Sequence, residues 1–489
     1  VDFQVGSTLS LFAAPSALTA TSGIAIADGS KLVITGGQAG TISDLFGATA
    51  LNPASNSAWT GANLTSSSLA LGASAVWNGN QYVLTVSSKN VPFINPSLNN
   101  LISGMSLDTQ SPNTGVMFIS RALDAGFIGA NDPKLAAATV EGASAMAQIS
   151  SVPAAAVDAA NAGAGAVTGR TSFVHPFTGG GGKAVALHQN QDGTVVTGMS
   201  AGNGFTRNGL GLWLMPLYQN STVWGMKAGS FKTGYNSSLG GLALGADYTF
   251  QEMFRVGAAF NVGGGYSKST GDFNSTENRF TFWGVNLYGG WAANNIGIGI
   301  EGGYTGTYNA LRQDVPAALA RAQLPGDVNR QAWHAGLRAE YCFETPVLDI
   351  IPHAGIRWTG IHMDSYKVKS GGGTVYDVDD SYQNIWTFPV GISFAKTFTF
   401  ESGWTFRPQI DGGVIPAAGD VKSKARVRVP GVPGNADSKV QQVDYVTFDG
   451  TAGFEVANGK GFSIGLNYNL QLSEHRTGHG VFGTLRYEF

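Results

Sequence analysis

From Leu210 to Phe489 the chain alternates apolar and polar residues with a period of two. In the last stretch Val481, Gly483, Leu485, Tyr487 and Phe489 share one face and Thr484, Arg486 and Glu488 the other, with Phe482 the one apolar residue on the polar side. A strand with that period can face lipid on one side and water on the other. The rhythm recurs in Leu242, Leu244, Ala246, Tyr248 and Phe250, in Ile296, Ile298 and Ile300, and in Phe462, Ile464, Leu466, Tyr468 and Leu470. Tight turns near Gln251, Ala293, Glu344, Phe400 and Asn458 alternate with long connections near Ser269, Ala317, Gly371 and Pro430. The pattern predicts a mainly β chain whose residues 209–489 form an antiparallel transmembrane β-barrel of about twelve strands.

The polar face carries Asp247, Arg255, Glu301, Arg338, Glu340, His353, Arg357, Arg407, Asp411, Glu455, Arg486 and Glu488. An Arg or Lys facing lipid at the bilayer midplane costs about 2–4 kcal/mol. These groups therefore belong in the lumen, where their mixed signs predict a hydrated, nearly neutral lining.

Upstream the pattern changes twice. Residues 1–110 are β-rich: Gly23 to Thr35 reads as a hairpin about Asp28-Gly29-Ser30, and Ala75 to Val86 as a second about Asn78-Gly79-Asn80. Such small units suit a stacked β-solenoid end or a small sandwich. Residues 111–172 turn helical, with Val116, Ile119, Ala122 and Leu123 at helical spacing and Asp132-Pro133 opening a helix to about Gln148. Ala154 to Arg170 follows, mostly Ala, Gly and Val with Val157, Asp158, Asn161, Thr168 and Arg170. Its glycines Gly163, Gly165 and Gly169 each cost about 1 kcal/mol of helix propensity, so it needs an enclosing wall. At roughly 1.5 Å per residue it extends about 25 Å, matching an apolar band of about 25 Å, and is predicted to lie in the pore. Residues 173–208 form a Gly-rich linker.

Composition narrows the classes. Charged residues make up 12% of the chain and the net charge is -3 at a pI near 6.2, so no basic field points to nucleic acid. The single Cys342 permits no internal disulfide and no thiolate zinc cluster. No apolar run of about 18 residues could cross a bilayer as a helix. The chain opens at Val1 with no visible secretory signal, so a mature or truncated product is expected if its destination lies outside the inner membrane. Gly198-Met-Ser200-Ala-Gly202 matches a nucleophile elbow but sits in the Gly-rich linker, without the strand-turn-helix context the chemistry needs. His475 and His479 beside Glu474 read as a solvated turn. No catalytic residue, cofactor or metal site is expected.

The opening Gly209-Leu-Gly-Leu-Trp213, the stretch from Leu242 to Phe250, the terminal Phe482 to Phe489 and the Ala-rich helix ending at Arg170-Thr-Ser172 together resemble the classical autotransporters, the type V secretion family. The resemblance implies a twelve-stranded translocator in the bacterial outer membrane that carries its own N-terminal passenger to the cell surface and leaves a helix in its pore. It further implies that Gly483, Leu485, Tyr487 and Phe489 form a signal read by the outer-membrane assembly machinery, and that the barrel is monomeric among outer-membrane lipid. Two features depart from the family: the linker after Arg170 is longer, and the Asn-Asn pair at which some members cut themselves is absent. Self-cleavage is therefore not carried over, and the passenger's ligand is not legible. The alternative is a porin-like outer-membrane channel for small solutes.

Overall fold

The structure, a computed structural model, describes residues 2–45 and 59–172 apart from short breaks, two dipeptides within 173–207, and 208–489 apart from a few turn residues. It opens with short strands: β1 (Asp2–Phe3), β2 (Thr8–Ala13), β3 (Ala25–Ile26), β4 (Lys31–Gly37), β5 (Gly40–Ile42) and β6 (Leu64–Ser66). The hairpin expected about Asp28-Gly29-Ser30 does not form. Gly29 turns the chain at φ 84°, but its flanks pair with different neighbours, and in parallel. β3 lies beside β1, with Ala25 opposite Asp2, while β4 lies between β2 and β6, with Leu32 opposite Leu9 and Leu64. The two faces thus share one 23-residue offset, and Ile26, Leu32 and Ile34 point into a buried core. β7 (Leu71–Trp77) and β8 (Tyr82–Ser88) do pair antiparallel as their alternation predicts; residues 79–81 of their turn lie outside the described residues.

Six helices follow. α1 (Pro96–Ser103) falls in a stretch that the β-rich reading did not anticipate. Its start is nonetheless written locally, because the Asn95 side chain accepts the Leu98 N–H and Pro96 occupies the first turn. α2 (Thr114–Ala122), α3 (Ala125–Ile128), α4 (Pro133–Ser144) and α5 (Met146–Ile149) come next, α4 capped by Asp132 as the sequence predicts. α6 (Val152–Thr171) contains the predicted pore segment. β9 (His188–Gln189) and β10 (Val195–Val196) form an isolated antiparallel pair. The Gly198 to Gly202 motif lies outside the described residues.

The remainder closes on itself. The spanning strands are β11 (Gly209–Ala228), β12 (Phe231–Phe250), β13 (Phe254–Gly271), β14 (Thr276–Ala293), β15 (Ile296–Gln313) and β16 (Leu324–Tyr341), then, after the short β17 (Phe343–Glu344), β18 (Asp349–Met363). β19 (Tyr366–Ser370) and β20 (Gly373–Val378) form a projecting hairpin. β21 (Ser381–Thr387) and β22 (Val390–Ala395) make one strand interrupted at Pro389 and extended by β23 (Phe398–Thr399), and β24 (Thr405–Gly419) follows. β25 (Lys422–Arg428) and β26 (Ala436–Gln441) form a second hairpin before β27 (Val446–Ala457), β28 (Phe462–Ser473) and β29 (Arg476–Glu488). β29 pairs with β11, which gives a closed twelve-stranded antiparallel barrel. Ile298, Trp386 and Leu466 are exposed on its outer wall, as a lipid-facing stripe requires.

The two ends differ. One has tight turns, with Gln251 and Asn295 at positive φ. At the other, the long connections expected near Ser269, Gly371 and Pro430 are largely strand: Ser269 lies within β13, and the two hairpins pair through Asp377 and Arg428 and reach β11 through Val440 and Ala228. On this extended sheet Val368, Val378 and Val427 join Leu98, Phe118 and Val140 of α1, α2 and α4 in one continuous hydrophobic core. The N-terminal region therefore sits on the long-connection end of the barrel.

Candidate functional site: a helix held inside the barrel

Glycine sets how the lumen is wired. Neighbouring strands lie about 4.8 Å apart, so inward side chains two strands apart meet most readily where the strand between them carries no side chain at that row. Glu301 of β15 and Arg357 of β18 meet at 2.7 Å over Gly336 of β16, where an added Cβ would lie 2.6 Å from the Glu301 carboxylate. Gly391 of β22 likewise lies under the ring of His353, which reaches Asp411 of β24 at 2.9 Å, and Ser393 donates to the same carboxylate. Tyr288 crosses Gly257 to donate to Asp247, and Asn467 crosses Gly453 to accept from Gln409. The 69 glycines of the chain serve in part to let this network close.

α6 occupies the lumen, packed mainly against β14, β15 and β16. Its small side chains allow the fit: Ala155, Ala159, Ala160, Ala164 and Val167 are fully buried, and Gly163 lies so close to Asn261 and Asn286 that a Cβ there would be 2.9 Å from the Asn286 amide. The helix is tied at both ends. Toward the long-connection end Asp158 pairs with Arg476 at 2.9 Å, and Arg476 also donates to Ser221. Toward the tight-turn end Arg170 holds Asp247 with two hydrogen bonds of 2.6 and 2.8 Å. Arg255, 3.5 Å from the same carboxylate, donates to the Arg170 carbonyl, so a cation closes the helix C-terminus. Thr168 donates to Glu301 at 2.7 Å and Ser172 to Glu340 at 2.6 Å.

Each of the ten predicted lining residues is engaged by another side chain, and the pairs not yet named are Arg338 with Glu340 at 3.1 Å, Arg407 with Asp349 at 3.1 Å and Glu455 with Arg486 at 2.7 Å. Of the predicted helix residues, Asp158, Thr168 and Arg170 bind the wall. Asn161 lines a cavity of about 100 Å³ between the helix and β24, β27 and β28, and the side chain of Val157 lies outside the described residues. Leu485 and Tyr487 of β29 and Phe489 just after it are exposed. Sequence reasoning missed Tyr288, Arg476 and Asp444. The carboxylate of Asp444 accepts from the Ser473 hydroxyl and the His475 N–H, and with Glu474 and His475 its ligand atoms lie within 4.8 Å of one another.

Above the helix, Glu141 of α4 is buried beside the β11–β12 turn. Its two oxygens accept the backbone and side-chain N–H groups of Asn95, at 3.0 and 3.1 Å. Burial pushes its pKa up to about 7, against those two hydrogen bonds.

A family description, the Autotransporter beta-domain, matches residues 212–469, a little over half of the chain. Comparison with curated proteins returns no sequence match. Among solved structures, the chain is similar to the translocator domain of the autotransporter NalP from Neisseria meningitidis (14% identity, 58% of this chain and 90% of that one, TM-score 0.44). It is also similar to the transport unit of the autotransporter AIDA-I from Escherichia coli (17% identity, 58% and 91%, TM-score 0.43) and the beta domain of the Bordetella autotransporter Brka (13%, 58% and 100%, TM-score 0.43). On the match across its barrel, this chain belongs to the autotransporter β-domain family, the outer-membrane translocators.

Proposed function

We propose that this chain exports its own N-terminal region across the bacterial outer membrane, displays it on the cell surface and closes the pore behind it with α6. The observation that carries the reading is the path of the chain. The N-terminal region rests on the long-connection end, α6 runs down the lumen tied to Arg476 at one end and Asp247 at the other, and β11 begins at the tight-turn end. A polypeptide ending in that state has been threaded through its own barrel.

The finer assignments rest on the same geometry. Residues 1–110 are the membrane-proximal end of a surface passenger, and the parallel pairing of β1 with β3 and of β2 with β4, at the same 23-residue offset, supports a stacked solenoid coil. Residues 111–172 carry the helical connection, residues 173–208 the linker and residues 209–489 the barrel. The lipid-facing Gly483, Leu485, Tyr487 and Phe489 form the signal for the assembly machinery, and the barrel acts as a monomer without covalent chemistry of its own.

Two measurements test this. In planar bilayers the intact chain conducts weakly, and deletion of 152–172 opens a large steady conductance. On intact cells, external protease reaches sites in residues 1–110. High conductance by the intact chain would instead favour the solute-channel reading.

A further inference from the structure

We propose that Arg330 is the centre of a binding site for a small inorganic anion, a halide, between the barrel wall and the helical segment that enters it. Arg330 lies on the inner face of β16, opposite Thr307 of β15 and Met363 of β18, and only 1% of its surface is exposed. Its Nε and Nη1 have no hydrogen-bond partner among the described residues. Every other arginine described inside the lumen has a carboxylate: Arg170 and Arg255 on Asp247, Arg357 on Glu301 and Arg476 on Asp158 are examples. Arg330 has none. Among the described residues the titratable group that acts on its charge is Tyr366, a neutral phenol. An ion withdrawn from water and left unpaired costs several kcal/mol, and water would supply an acceptor but no countercharge.

The surroundings select the ligand. The Tyr366 hydroxyl already accepts the Ala147 N–H of α5 at 3.2 Å, so its own proton is left to donate. Two guanidinium N–H groups and one O–H then offer hydrogen-bond donors without an acceptor. Val328, Ala332 and Met363 on this face are apolar and fully buried, and the Thr307 hydroxyl opposite, which accepts from Asn309, is directed to the Arg330 carbonyl. A phosphate or sulfate would bring more acceptor oxygens than these donors satisfy, each costing free energy when buried. A monatomic anion has no such surplus. Bound there, it links β16 to β19 and, through Tyr366, to the first turn of α5, fixing the chain where it enters the barrel. This site does not depend on the export reading.

The test uses the full chain folded in detergent, with thermal unfolding followed in sodium chloride, bromide or gluconate at equal ionic strength. Chloride and bromide should raise the midpoint saturably over gluconate, because a ligand that binds only the folded state stabilises by mass action. Arg330→Gln should abolish that difference and Tyr366→Phe reduce it. Should Arg330→Gln fail to fold, crystals of the unaltered chain grown in bromide decide the matter, with an anomalous peak expected in hydrogen-bond reach of Arg330 Nε and Nη1. Equal midpoints in the three salts, a halide effect that persists in Arg330→Gln, or a bromide map empty at Arg330 would each overturn the proposal.

Discussion

The carboxylate of Glu301 reaches the guanidinium of Arg357 across a whole intervening strand, passing over Gly336. Both partners are almost fully buried, and Thr168 of α6 adds a third contact to the same carboxylate. Gly336→Val places a branched side chain where that carboxylate lies. Separating a buried pair typically costs about 3–5 kcal/mol, and the barrel should lose that order of stability in urea unfolding. Gly302→Val, whose added Cβ meets no atom nearer than 3.5 Å, is the control and should cost far less.

The helix is sized to its seat at Gly163. Gly163→Ala gains about 1 kcal/mol of helix propensity, yet its Cβ would fall 2.9 Å from the Asn286 amide and 3.0 Å from the Asn261 carbonyl oxygen. Those two side chains hydrogen-bond to each other, so neither yields cheaply. Gly163→Val should therefore lift α6 off β13 and β14 and raise single-barrel conductance in planar bilayers, with Gly163→Ala intermediate. Conductance unchanged in both variants would mean that the helix is not seated there.

Asp158 and Arg476 hold the upper half of the helix, and the two groups are not equivalent under mutation. Asp158→Ala leaves a part-buried guanidinium with Ser221 as its hydrogen-bond partner and Asp444 as the carboxylate that still acts on its charge, so the loss should fall below the roughly 3–5 kcal/mol of a fully buried pair. Replacing both, as Asp158→Ala with Arg476→Met, removes the stranded charge and should recover part of that loss. A double-mutant cycle on thermal unfolding reads the coupling directly, and simple additivity of the two changes would contradict the pairing.

These pairs also mark what was legible in the chain. The period of two placed Asp247, Glu301, Arg357 and Asp411 inward, because a one-residue shift would have put every such charge into lipid. The Ala-rich stretch announced a helix too weak to stand alone. What the alternation could not tell was which inward groups meet: the bridge over Gly336 joins three strands whose register is fixed only on closure. The parallel pairing of β1 with β3 was equally hidden, since Asp28-Gly29-Ser30 is a good local turn whichever neighbours its flanks choose. Other features were readable but passed over. Lys367, Val368 and Lys369, and Lys424 to Arg428, alternate as strands do and carry the sheet that seats the N-terminal region.

That seat contains a pH-sensitive contact. Glu141 is ringed by Asn95 of α1, the Gly229 turn between β11 and β12, and Tyr376 of β20, with no cation among the groups that act on its charge. Its pKa of about 7 in the docked state lies above the roughly 4.3 of a free glutamate. Below the free value both states hold the proton and docking has its full strength. Between the two values the undocked chain releases the proton while the docked one keeps it, so stability falls with rising pH, by roughly 4 kcal/mol in all at 1.36 kcal/mol per unit. Above about 7 both states are ionised and the loss levels off. Hydrogen exchange at the Leu98 and Ala145 amides, measured across that range and corrected for intrinsic rates, should show less protection at pH 8 than at pH 5. Glu141→Gln keeps an acceptor for only one of the two Asn95 donors, so it should dock more weakly at pH 5 but show little dependence on pH. Protection that rises with pH in the unaltered chain would contradict a neutral, buried Glu141.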